Sequence, residues 1–152
     1  MSTLIIYSCS KDDDEVVDEE QEEIVEPTRE ELLVINSPWT FTSYEVMEVT
    51  STTNENITDE DINNFTTNLL AGFTMDFSED GTLIIDHPLS GEISRTWVIF
   101  NDDIIFDSES NTPQIWQNIE VSENNMSMET TLFSIFEDTF DSVEHYGKLH
   151  FE

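Results

Sequence analysis

Arg95 is the side chain in this sequence best placed to hold a ligand. It lies in the alternating stretch Ile93 to Phe100, where it shares one face with Ile93, Trp97 and Ile99, while Thr96, Val98 and Phe100 take the other. A guanidinium among apolar walls would hold the carboxylate or phosphate head of an apolar molecule through charge-assisted hydrogen bonds. The competing use is structural: an ion pair with one of the chain's many acids, or stacking on Trp39 or Trp97 to close one end of the fold. The remaining chemistry is sparse. His145 and His150 are five residues apart, so an extended strand turns them to opposite faces, and His87 is remote in sequence; no shared metal is expected. A single cysteine, Cys9, rules out an internal disulfide. There is no phosphate-cradling glycine loop, no EF-hand spacing and no serine or cysteine in a nucleophile elbow. Carboxylate pairs occur throughout and therefore say nothing about acid–base catalysis. No enzymatic activity, cofactor or metal is expected.

The elements that would position Arg95 are strands. In Phe73-Thr74-Met75-Asp76-Phe77 the aromatic and sulfur side chains alternate with polar ones, Ser78-Glu79-Asp80-Gly81 supplies a turn, and Leu83 and Ile85 resume the apolar face. This predicts a β-hairpin with one wet side. Around it, strands are predicted over Trp39 to about Thr50, Ile93–Phe100, Ile104–Phe106, Gln114–Val121, Met126 to about Phe136 and Val143–Phe151. Between the first two strands, Thr58-Asp59-Glu60-Asp61 opens a short helix whose apolar face is Ile62, Phe65, Leu69 and Leu70, with Gly72 as its stop. Eight strands joined mostly by short turns close most economically into an antiparallel up-and-down barrel; a two-sheet sandwich is the alternative. In either, Phe73, Met75, Phe77, Leu83, Ile85, Trp97 and Met128 are inward-facing. They are core residues first. In a hollow barrel they would also line a ligand cavity, with Arg95 as its polar anchor.

Charge limits the partners. The chain carries 35 Asp and Glu against 4 Lys and Arg, a formal charge of −31. Twelve of the acids fall between Asp12 and Glu31, yet the part from Leu32 onward remains strongly acidic, with only Arg95 and Lys148 opposing. Nucleic acid phosphates and anionic lipid heads are repelled by such a surface. No apolar run approaches the length of a membrane-spanning helix. Residues 10–31 combine like charge with few apolar groups, which predicts a disordered, self-repelling tether ahead of a domain over 32–152.

Two resemblances add to this reading. Leu4-Ile5-Ile6-Tyr7-Ser8-Cys9-Ser10-Lys11-Asp12-Asp13-Asp14 resembles the end of a bacterial lipoprotein signal, where a short apolar run leads to a small residue and then the cysteine that is acylated. By that resemblance residues 1–9 are a signal remnant, Cys9 is the lipid attachment site, and acyl chains on it anchor the protein at the outer membrane of the cell envelope. The second lies in Trp39-Thr40-Phe41-Thr42-Ser43-Tyr44, in Phe73 to Thr82, and in the strand–Trp–Asn-Asp-turn–strand segment Arg95 to Ile104. Together these resemble the lipocalin-like domains of bacterial lipoproteins, over about residues 36–152. That family implies a calycin-type barrel and, with it, a monomeric binder of a small apolar or amphipathic ligand. The alternative is a non-catalytic envelope scaffold with a solid barrel core, working through its outer surface.

Overall fold

The computed structural model describes residues 26–152. Cys9 and the acidic segment through residue 25 lie outside the described residues. The elements run α1 (Arg29–Ile35), β1 (Trp39–Thr52), α2 (Asp59–Leu69), β2 (Thr74–Phe77), β3 (Thr82–His87), β4 (Gly91–Phe100), β5 (Asp103–Phe106), β6 (Gln114–Val121), β7 (Met126–Phe136) and β8 (Asp141–Phe151). Each strand pairs antiparallel with the next and β8 returns to β1, so the sheet is a closed eight-stranded barrel rather than a sandwich. The predicted hairpin is β2–β3, with Met75 opposite Ile85 and Phe77 opposite Leu83 on the inner face. Gly81 turns it at φ +81°, where a side chain would be strained.

The barrel is fastened unevenly, and the helices compensate. β1 has 14 residues and β2 only 4, so they share just the pairs Trp39–Met75 and Thr40–Thr74. Further along β1, α2 covers the seam. Its Thr67 hydroxyl accepts from the Tyr44 backbone N–H (3.2 Å) and its Asn63 side-chain oxygen from that of Val46 (2.7 Å). Two side chains one helical turn apart thus stand in for the missing strand. This requirement also sets the helix rotation. Ile62 and Thr66 are the buried positions, while Leu69, expected on the inner face, is 38% exposed.

The start of the folded part lies upstream of the predicted boundary. Arg29, Glu30 and Glu31, expected in the tether, belong to α1. Thr28 and Glu31 form a capping box: the Thr28 hydroxyl accepts from the Glu31 N–H and the Glu31 carboxylate from the Thr28 N–H. Leu33 of this helix is fully buried, and its carbonyl accepts from Trp39 Nε1 (2.9 Å) and from the Ser37 hydroxyl (2.8 Å). Ser37 Oγ in turn accepts from the Phe77 N–H at 2.8 Å, tying α1 to β2. Arg29 completes the attachment on the other side, donating to the Asn101 carbonyl and the Asp102 carboxylate in the β4–β5 turn. α1 is therefore the floor of the barrel.

Candidate functional site

Arg95 sits opposite Leu83 in the β3–β4 register, on the inward side, as its alternation predicts. Its guanidinium does not face an open chamber. It donates to Asp107 at 2.6 Å, and both side chains are about one-third exposed (34% each). Asp107 stands at φ +50°, and its other carboxylate oxygen accepts from the Thr96 N–H. The Thr96 N–H, followed by Arg95, holds the Asp107 carboxyl below the usual carboxylate range. The pair clasps the loop after β5 to the rim of β4. Ion pairs this open to solvent contribute little to stability. Arg95→Ala should therefore lower the melting midpoint by no more than about 3 °C, as read by circular dichroism; a much larger drop would mean that Arg95 supports the interior.

The predicted wall residues Phe73, Met75, Phe77, Leu83, Ile85, Trp97 and Met128 are all buried in one core. Their neighbours fill the interior from the floor upward. Phe77 packs edge-to-face on Trp97 (ring centroids 5.1 Å), Phe106 on Trp116 (5.3 Å) and Phe41 on Phe151 (5.8 Å). Among the clefts on the described surface are four of about 450 to 730 Å³. Of the predicted wall residues only Trp97 lines any of these four, at the β4 rim beside Asp107.

One polar chain crosses the interior, and sequence reasoning missed it. His145 is fully buried on β8, with Nδ1 2.6 Å from the Tyr44 hydroxyl and Nε2 2.9 Å from the Ser134 hydroxyl. Both partners can donate or accept, so the neutral ring is satisfied in either tautomer. A serine–histidine contact suggests nucleophilic catalysis, but these atoms are sealed in the core with no room for a substrate carbonyl. Burial pushes the Tyr44 phenol up and the His145 imidazole down from their ordinary values. The unfolded chain therefore binds the His145 proton first as pH falls. Stability from this group is complete above about pH 6.5 and is lost below it, by at most about 1.4 kcal/mol per pH unit. In urea titrations between pH 7.5 and 5, the stability advantage of the parent over His145→Gln should shrink as pH falls. A constant difference would refute the buried neutral imidazole. His150 faces outward, 3.8 Å from Glu45, so the two histidines do take opposite faces.

On the outer face of β6–β8 a carboxylate is nearly buried. Glu129 accepts from the Tyr146 hydroxyl (2.5 Å) and the Asn118 amide (2.7 Å), and Lys148 lies 3.7 Å away. Burial pushes Glu129 up, but these three partners outweigh it and hold the carboxyl below its usual range. Burial and the Glu129 charge push the Tyr146 phenol up to about 12. Lys148 also bridges to Glu120 at 3.1 Å. Through Glu129 and Lys148 this cluster ties β6, β7 and β8 together.

The most unusual surface is apolar. Val98 on β4 pairs with Ile105 on β5, and Ile105 with Ile115 on β6, so three aliphatic side chains stand abreast on the outside of the barrel. Val98 and Ile115 are 44% and 49% exposed. Phe100 extends the row along β4, and Phe133 and Ile135 continue the outer face on β7, all exposed. The alternation of β4 marks Val98 and Phe100 as outward-facing in the sequence, but only the strand register reveals that they join Ile105 and Ile115. Comparison with protein-family models, with curated proteins and with solved structures found no match to this chain.

Proposed function

We propose that the protein is a non-catalytic, lipid-anchored envelope protein whose solid barrel acts as a scaffold through its outer surface. The observation that carries this reading is the Val98–Ile105–Ile115 row, extended along β4 by Phe100, with Phe133 also exposed on the outer face of β7. Single exposed apolar residues are ordinary, but a row of them across neighbouring strands is characteristic of contact surfaces. A guest inside the barrel, as in a ligand-carrying lipocalin, would have to displace packed side chains such as Met75, Leu83 and Met128, which have no exposure at all. The anchor rests on the lipoprotein-like residues leading to Cys9, and the acidic segment after it would serve as a spacer.

Two experiments test the proposal in native cells. A photo-reactive phenylalanine analogue at Phe133 or Ile115 should give a discrete cross-linked protein, absent when the analogue replaces Glu45 on the opposite side of the barrel. Val98→Lys with Ile115→Lys should abolish that product without unfolding the barrel. Absence of a product from the apolar face, or equal products from both faces, would remove the scaffold reading. For the anchor, Cys9→Ser should eliminate an acylated species by mass and release the protein from membranes; unchanged partitioning would refute it.

A further inference from the structure

We propose that the end of the barrel opposite α1 binds a small organic cation with an apolar body, such as a hydrophobic amine or quaternary ammonium. This site is separate from the outer-face scaffold reading, and either can fail without the other. The cleft holds about 730 Å³, within the range of small-molecule sites, and lies between α2, the β3–β4 turn and the β7–β8 turn. Its apolar surface comes from Ile57, Phe65, Leu69, Leu89 and Phe136. The Phe65 and Phe136 rings meet at 4.7 Å between centroids, tilted by 36°, and form an aromatic base. Leu69 and Leu89 stand on its sides, 38% and 72% exposed. The rotation of α2 that seats Asn63 and Thr67 on β1 is what leaves Phe65 and Leu69 facing this cleft rather than the core.

The charge around that apolar surface has one sign. Asp61, Glu137, Asp138 and Asp141 line the cleft, and no lysine, arginine or histidine does. Two of these carboxylates are engaged in the fold: Asp61 accepts from Thr58 at the start of α2, and Asp141 from the Asn54 amide. Those hydrogen bonds hold both in the ionised form, so the negative potential is built in. A fatty acid or a phosphate ester would meet repulsion, and a neutral apolar molecule would gain nothing from the rim. A cation with an apolar body uses both, placing its charge among the carboxylates and over the phenyl faces. A bare divalent ion fits poorly: among the described residues no group of three or more His, Cys, Asp or Glu is arranged to hold a metal.

The test is a titration of the full chain at low ionic strength with hexyltrimethylammonium, hexanoate and hexanol, followed by calorimetry and by methyl resonances of Leu69 and Leu89. The expected result is saturable binding of the ammonium alone, with shifts at both leucines and loss of affinity as salt is raised. Glu137→Gln with Asp138→Asn, both exposed turn positions, should weaken it about fivefold. Hexanol or hexanoate binding as tightly, an unchanged affinity in the double variant, or no saturation in the millimolar range would overturn the proposal.

Discussion

Trp39→Ala will lower the unfolding free energy by about 4 kcal/mol, the range for deleting a large buried aromatic side chain. Trp39 is 1% exposed at the first position of β1, directly above α1. Its loss removes the filling of the barrel floor and one of the two donors to the Leu33 carbonyl, which keeps only the Ser37 hydroxyl. The effect should be largest at the floor. Amide exchange of α1 should rise to near that of unstructured chain while the β7–β8 amides stay protected. Trp39→Phe keeps most of the volume and should cost roughly half as much. The check is a urea titration of the three proteins. Equal losses in both variants would place the energy in the indole hydrogen bond rather than in packing.

Gly147→Ala should cost about 3 kcal/mol, the upper end of ordinary overpacking. Gly147 lies within β8, opposite Val46 on β1 and Thr130 on β7. It needs no left-handed backbone, so the usual reason for a glycine is absent. The reason is proximity. A methyl group there would run into the Tyr44 hydroxyl and ring carbon Cζ and into the Glu45 backbone carbonyl. Tyr44 crosses the bare Gly147 backbone to reach His145, so the glycine creates the space in which the buried polar chain forms. Tyr44→Leu in the Gly147→Ala background should therefore recover part of the loss, with a coupling energy above about 1 kcal/mol by double-mutant cycle. Simple additivity would show that the methyl group is accommodated elsewhere.

The order in which these features can be read follows from the range of the interactions behind them. The β2–β3 hairpin is legible because everything it needs lies between Phe73 and Asp86: alternation, turn residues and a glycine. The count of strands follows in the same way; with the short connections it favours a barrel over a sandwich, and the β1–β8 pairing decides between them. The start of α1 was hidden because Thr28 and Glu31 sit inside a run of acids, where a capping box resembles more of the tether. Periodicity turns Leu69 inward, but the rotation of α2 is set by Asn63 and Thr67 filling gaps in β1, which periodicity does not register. The alternation of β4 puts Arg95 on one face with Trp97, but its partner Asp107 depends on the β4–β5 register and a left-handed backbone turn. The roles of His145 and Gly147 are longer-ranged still: both depend on Tyr44, about a hundred residues earlier in the chain.

Buried side chains fill the barrel. Xenon enters dry apolar cavities and ignores packed cores. Crystals of the protein equilibrated under xenon pressure test it directly. The structure predicts no xenon peak inside the barrel. A well-occupied xenon enclosed by Phe73, Met75, Leu83 and Met128 would contradict it and restore the barrel as a carrier of an internal ligand.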